Sequence, residues 1–531
     1  MATTDASEPE ASEDRPGARI EGGIDAIVIG ADADGLTAAA YLGKAGLKTV
    51  LIDAAAVLGG PIRTRRLAGG VYDVDGEHLA FMLDPEAIAD LELYRYGLNF
   101  AARRLDTVYF FDDGEMLRLD GDLQNAAALM EGDEDVKAAL GEFFRDAMAA
   151  AVLMRPAFDA PRAGRAPARQ LQKALSQAAA SDARRLARYA TASVDDVLGD
   201  LFADGPIKTL LTCEAAFRSG APPHEPYSFM GLIRRYAGEA AGLQGAQAYP
   251  EGGCVAVIDA LRRAAQGAKV DIRAATYVDK LLIEGDRVAG VMLRGGGQLR
   301  APIVVASLDA QQVFLDMIGP GAIDIEFQHM LMRDRPTYAS ARLQATLKGV
   351  AKDEKTRENM MRRIVYAPSP AFLQTAFMDA REGRIPETLM LEVIFPGALD
   401  PQAALESEQL LSVFAHPLPF DAAVDDDRRE AIRNAILVSL ETILPDAQKR
   451  LGAVDLSLPS DLAAATGARP EAYAAGAGVM RQWALAGACA SAGGIRGLYC
   501  CGPEARIGTG LSFAAGRAAA KTALRDFKRG E

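Results

Sequence analysis

Apolar residues in this chain come mostly in short runs bounded by glycine, aspartate or proline. The first, Ile24–Ile29 (IDAIVI), is short and apolar enough for a strand covered on both faces. A Gly/Asp turn follows. Leu36–Ala45 (LTAAAYLGKA) then predicts a helix with Gly46 as its stop, and Thr49–Ile52 (TVLI) a second strand ending in Asp53. Together they make one βαβ unit of about 30 residues. From about Pro85 to Ala240 the pattern turns Ala/Leu/Arg-rich and helical, with Asp133–Leu153 and Val194–Phe202 as helices and Pro156–Pro167 as a breaking loop. Val257–Gln266 predicts a further helix, leading into strand-like VDIRAATYV, KLLIEG, RVAGVMLR and Ile303–Ser307. A mixed region from about Ala322 to Ser460 comes next. The end of the chain returns to the opening pattern: a strand at Gly497–Gly502, a glycine-rich turn and a helix at Gly516–Phe527. The helical insert and the return strand together predict domains that are discontinuous in sequence.

Composition narrows the classes. At 531 residues and roughly 150 residues per domain, two or three lobes are expected. The formal net charge of −14 argues against nucleic acid and anionic membrane surfaces, both of which call for basic patches. The five cysteines, Cys213, Cys254, Cys489, Cys500 and Cys501, have no metal-ligand spacing, and Cys500 and Cys501 are too close for an ordinary bridge. An odd count fits a reducing cytosol, so a cytoplasmic protein is expected. Residues 1–22 are polar and acidic without an apolar core, and are expected to be a disordered tail. No uncharged apolar run reaches about 18 residues, which argues against a spanning helix.

The segment that carries chemistry is Gly30-Ala31-Asp32-Ala33-Asp34-Gly35. A dinucleotide-binding turn asks for G-x-G-x-x-G: the first glycine for the tight turn, the second for close approach of the pyrophosphate, the third to pack helix on strand. Asp32 stands in the middle position. The strand before, the helix after and the acidic Asp53 match the context of such a site, and a carboxylate at Asp53 favours FAD or NAD over NADP. Asp32 places a side chain and a negative charge where pyrophosphate should meet a helix N-terminus. Two unit charges about 4 Å apart repel by about 4 kcal/mol at an effective dielectric of about 20. Two outcomes stay open: Asp32 turns outward or caps the helix and FAD binds less tightly, or the cofactor is lost.

Four segments in this order resemble the phytoene dehydrogenase-like NAD(P)/FAD-dependent oxidoreductases, a group with carotenoid desaturases and pyridine nucleotide-disulfide oxidoreductase domain proteins. They are IVIGADADGLTAAAYLGKAGLKTVLIDAAAVLGGPIRT, Tyr249–Gly253, Val270–Ala310, and GLYCCGPEARIGTGLSFAAGRAAAK. The resemblance spans Gly23 to Lys521. It implies an α/β fold: a discontinuous, glutathione reductase-like Rossmann FAD domain from residues 23–84, 245–320 and 485–531, a helical insert of the substrate domain over 85–244, and the remainder of that domain over 321–484. It also implies FAD contacts from Gly30, Ala31, Asp32, Gly35, Asp53, Gly59, Gly60, Arg63, Thr64, Val278, Gly502, Gly510 and Leu511. The implied activity is desaturation, saturation or isomerisation of a hydrophobic, polyene-like small molecule, with peripheral membrane contact.

The departures from the family pattern are specific. Arg506-Ile507-Gly508-Thr509-Gly510 replaces the usual His-Pro-Gly-Gly-Gly, Phe513 stands where a later glycine is usual, and Gly467–Gly478 holds no histidine. They support a second reading, a non-catalytic descendant of the fold kept as a binding or assembly partner. His78 is the candidate proton donor or acceptor, with a structural hydrogen-bonding role as the alternative. Arg63, Arg65 and Arg66 would neutralise a phosphate or carboxylate, or form a solvated cluster. His416 and the Met148–Met154 stretch read as core, and Cys500 and Cys501 as inert thiols. No metal site is expected.

Overall fold

The computed structural model describes residues 20–67, 70–73, 77–130, 133–158, 167–333, 336–349, 354–421, 424–474, 486–487, 489, 492–505 and 511–530. Its centre is an all-parallel sheet of five short strands. They are β1 (Ala26–Ile29), β2 (Thr49–Ile52), β3 (Asp271–Arg273), β4 (Ile303–Ala306) and β5 (Leu498–Cys500), in the spatial order 3-2-1-4-5. Apolar residues on both sides of β1, β2 and β4 explain their burial. Ala26, Val28, Leu51, Ile303 and Val305 pack against helices, while Ile27, Ile29, Val50, Ile52, Val304 and Ala306 face a smaller sheet. The helices are α1 (Ala33–Lys44), α2 (Val255–Gly267) and α3 (Ala514–Arg529). The smaller sheet is the antiparallel meander Val278–Glu284, Arg287–Leu293 and Gln298–Arg300. This is a Rossmann-type α/β architecture with a strand contributed by each end of the chain.

Several boundaries differ from the sequence expectation. Helix α1 starts three residues before Leu36, because Asp32 caps it. Ile20–Glu21 forms a short strand parallel to Gln298–Arg300, and Arg273 bonds the Glu21 carboxylate at 2.8 and 2.9 Å. The expected tail 1–22 therefore does not extend through these residues; residues 1–19 lie outside the described set. Helix Glu134–Phe158 runs through Pro156, where a loop was expected, with Met154 and Phe158 held in the core. Segment 85–244 is not helical throughout. Ala87, Ile88, Leu91 and Leu98 pack in the core of the dinucleotide unit, and Thr107–Phe110 and Met116–Leu119 are strands.

Those two strands close one edge of a seven-stranded sheet. Its order is Leu451–Ser457, Tyr338–Lys348, Glu408–Pro419, Met390–Ile394, Arg363–Tyr366, Thr107–Phe110 and Met116–Leu119. Every pairing is antiparallel except Arg363–Tyr366 with Thr107–Phe110. One face is apolar and covered by helix Asp426–Ile443 through Ile432, Ile436 and Leu440. Alternation sends every second side chain to the opposite face. That face carries Arg342, Gln344, Arg363, Glu392 and Ser412, all buried. Against it lie the helices of the insert, among them Glu134–Phe158, Pro206–Ser219 and Phe229–Ala237.

Candidate cofactor cleft and buried charged face

At the carboxyl ends of β1, β2 and β4 lies a cleft of about 750 Å³, open solvent at its mouth included, lined by Gly30, Asp32, Asp53, Gly60, Val278 and Ser307 among others. Such a crevice is where open α/β sheets bind ligands. Gly30 has φ +93°, and a Cβ there would meet the Ser307 carbonyl oxygen at 2.6 Å. A Cβ on Gly35 would stand 1.9 Å from the Gly30 carbonyl oxygen. The first and third glycines of the fingerprint are thus required by contact.

The middle position behaves otherwise. Asp32 has an unstrained φ of −75° and is the N-cap of α1. Its Oδ1 accepts the Gly35 amide at 2.9 Å and the Ser307 hydroxyl at 2.5 Å. Asp34, fully buried, reaches the other way and accepts the Gly516 amide of α3 at 2.8 Å. The N-cap residue of α3, Phe513, has φ 48° and supplies no side-chain cap, so Asp34 takes that duty. Both helix N-termini are thus satisfied by a carboxylate of this chain, and of the two only that of α1 opens on the cleft.

Asp53 ends β2, where the ribose of a dinucleotide would lie. One carboxylate oxygen accepts the Ala31 amide at 2.6 Å and the other the Ala55 amide at 2.7 Å. Burial pushes its pKa up, against the pull of those two amides. The carboxylate therefore also ties the fingerprint turn to the loop after β2. A lone pair left on each oxygen can still accept a ribose hydroxyl. The glycine cradle and Asp53 fit the adenosine half of a dinucleotide; the pyrophosphate half faces Asp32.

The remaining expected contacts divide. Gly59 donates its amide to the Ala31 carbonyl at 2.9 Å, and Gly60 packs on the Asp32 Cβ, so the Gly-Gly pair buttresses the turn. The Arg63 guanidinium donates to the carbonyls of Gly60 and Ala465. Thr64 opens a two-stranded hairpin with Gly70–Asp73. Val278 lines the cleft. Gly502 packs against the Leu308 backbone, and Leu511 is buried in the helix-side core rather than in the cleft. Gly510 and the rest of 506–510 lie outside the described residues, as do the side chains of Arg65 and Arg66.

His78 sits away from this cleft, on the charged face. Its Nε2 donates to Glu392 at 2.9 Å, and its Nδ1 accepts the Ser412 hydroxyl at 2.9 Å, the tautomer that the carboxylate selects. Burial, reinforced by Arg342, pushes its pKa down to about 3. At neutral pH the ring is uncharged and both nitrogens are occupied. Glu392 also accepts from Arg218 at 2.7 Å and from Arg363 at 2.5 Å. Arg363 turns its other side to Glu214, which accepts the Tyr109 hydroxyl at 2.9 Å. Burial alone would raise both carboxyls; the arginines hold Glu392 well below its ordinary range and lower Glu214.

Residues 28–89 match a family model described as an NAD(P)-binding Rossmann-like domain. The chain is 26% identical over 544 residues to pyridine nucleotide-disulfide oxidoreductase domain-containing protein 2 of Rattus norvegicus, across 95% of this chain and 94% of that one. It is 27% identical over 305 residues to hydroxyneurosporene desaturase of Cereibacter sphaeroides, across 56% of this chain and 59% of that one. In fold, the chain is similar to putrescine oxidase bound to putrescine, with a TM-score of 0.63 at 17% identity over 96% of this chain and 100% of that one.

Sequence reading missed the buried charged face. Arg218, Glu214, Arg363 and Glu392 carry no motif. In the strands RIVY and MLEVI a single charged residue stands among apolar ones, with no alternation to mark a face. The available signal was the length of the helical insert, which must lie against something. Among the described residues no group of His, Cys, Asp or Glu is arranged to hold a metal, and no helix is long and apolar enough to cross a membrane. Burial pushes the Cys500 thiol up to about 12 and the Cys501 thiol well above its ordinary range, so neither is a ready nucleophile. His416 is buried beside Phe377, and of the Met148–Met154 stretch Ala149, Val152 and Leu153 are exposed.

Proposed function

We propose that the chain is an FAD-dependent oxidoreductase that holds its flavin loosely and acts on a hydrophobic small molecule. The observation that carries this reading is the cleft at the carboxyl ends of β1 and β2, with a cradle at Gly30 and Asp53 at the ribose position. The relatives named as oxidoreductases support the redox class. Bound FAD would supply the hydride or electron acceptor; the protein has to bind, orient and exclude water. In this reading Asp53 accepts the ribose hydroxyls, and Gly30 lets the backbone come close. The substrate approaches along a second groove between helix Glu134–Phe158 and the start of α3, whose walls include Met82, Val152, Phe158 and Ala237.

One observation favours the alternative, a non-catalytic or flavin-weakened binding protein. Asp32 satisfies the α1 terminus that would otherwise receive the pyrophosphate. A single preparation separates the two readings. We expect substoichiometric, non-covalent flavin in the visible spectrum of the purified protein, and a rise in melting temperature on adding FAD. Ligand linkage gives about 2.7 kcal/mol at a hundredfold excess over the dissociation constant. Absence of both signals removes the enzyme reading.

A further inference from the structure

The cleft at the carboxyl ends of β1 and β2 is nearly shut. Apart from the open solvent at its mouth it keeps about 70 Å³ of free space, whereas pockets that take small molecules run from about 300 Å³ upward. Part of its wall comes from a distant stretch of chain. Thr466, Gly467, Ala468, Ala472 and Tyr473 line the cleft together with Gly30 and Asp53. They lie at and beyond the end of helix Pro459–Thr466, which follows the edge strand Leu451–Ser457 of the large sheet.

The root of that stretch is fixed. Leu458 and Ala463 are buried, and Arg429 donates to Asp461 at 2.6 Å. From Ala464 to Ala474, in contrast, no residue is buried, and alanine is the commonest side chain, so burial does little to hold this part down. Polar contacts hold it instead. Arg469 donates to Gln311 at 2.8 Å and to both Asp316 carboxylate oxygens at 2.8 and 2.7 Å, and Arg63 donates to the Ala465 carbonyl at 3.0 Å. The Arg469–Asp316 pair is partly exposed, and an exposed ion pair adds little stability. A segment with few buried contacts opens without unfolding its neighbours. We propose that residues 464–474 form a strap over the nucleotide end of the cleft, latched by Arg469 on Asp316, and that a dinucleotide enters when the strap lifts. The choice of ligand rests on the flavin reading above; the motion does not.

Two readouts on the full chain test it. Without ligand, cleavage by a glutamate-specific protease after Glu471 under native conditions, identified by fragment mass, reports the lifted population. Asp316→Ala should speed that cut about twofold to fivefold, the worth of one exposed ion pair. FAD association, followed by quenching of the flavin fluorescence, should speed by a similar factor, because a larger fraction of molecules is open to it. A Cβ on Gly467 would lie 3.8 Å from the Ala54 Cβ, the spacing of a disulfide. The double variant Ala54→Cys, Gly467→Cys should therefore resist the cut and refuse FAD when oxidised, and dithiothreitol should restore both in the same sample. Gly467 has φ +75°, so if that variant does not fold, Asp316→Ala carries the test alone. No cut after Glu471 short of global unfolding, or an equal rate in Asp316→Ala, overturns the strap. Equal FAD uptake by the oxidised and reduced double variant overturns its control of entry. FAD binding to neither parent nor variants ends the flavin reading, and the cleavage rates then decide for or against the strap by themselves.

Discussion

Asp32 has two hydrogen-bond duties that its place in the fingerprint does not reveal: it caps α1 through Gly35 and accepts from Ser307. Replacing it with glycine should therefore have effects of opposite sign. Without flavin, Asp32→Gly should lose about 1–2 kcal/mol in urea unfolding, since glycine is a tolerable cap but leaves the Ser307 hydroxyl unpaired. Titrated with FAD, the same protein should bind at least about tenfold more tightly, because a negative charge has left the pyrophosphate position. Unchanged affinity would mean that the Asp32 carboxylate is not what opposes the cofactor. That Asp32 stood at a critical position was legible in the sequence; its contact with Ser307, 275 residues away, was not, since only the pairing of β1 with β4 brings the two together.

His78 gives a second prediction at the same scale. Its folded pKa of about 3 lies below the ordinary 6.5, so the unfolded chain binds the extra proton. Stability is full above pH 6.5 and is lost as pH falls toward 3, by about 1.4 kcal/mol per pH unit for one group. His416, lowered to about 4 by burial, adds a similar loss. In His78→Gln one of these two contributions disappears, and stability should change less steeply between pH 6 and pH 5 than in the parent. Equal slopes in the two proteins would show that His78 already carries a proton when folded.

Among the elements, α1 and α3 cross where both are made of small residues. Ala38, Ala39 and Ala40 of α1 and Ala515, Ala519 and Ala520 of α3 are all buried in the same core. A Cβ on Gly516 would lie 2.0 Å from the Asp34 carbonyl oxygen, a backbone atom with nowhere to go. Gly516→Ala should cost about 1–3 kcal/mol, the usual range for overpacking, although alanine is the better helix former by itself. A melting temperature equal to the parent's would mean that the helices can separate freely. The strands and helices of this unit were readable to within a few residues because each is short, strongly apolar and bounded by glycine. The large sheet was harder to read: its strands are scattered from Thr107 to Ser457, and their pairing is set by tertiary contact.

On the scale of the whole molecule, Arg363 is the residue that joins the parts. It stands on a strand of the large sheet, bonds Glu392 on the next strand, and reaches Glu214 on helix Pro206–Ser219 of the insert. At 1% exposure it is the largest fully buried side chain among the described residues. Arg363→Met keeps much of the volume but leaves Glu214 with Tyr109 alone and Glu392 with Arg218 and His78. Breaking a buried pair in this way costs about 3–5 kcal/mol, a large part of the 5–15 kcal/mol that holds a typical domain folded. Glu214→Gln should also destabilise, because Arg363 then keeps only one carboxylate. Combining the two substitutions removes a positive and a negative charge together, so the double variant should be about 1–3 kcal/mol more stable than the sum of the single losses predicts. The three variants, unfolded in urea at pH 7, measure that coupling. Strict additivity would mean that Arg363 and Glu214 do not act as a pair, and that packing alone holds the insert against the sheet.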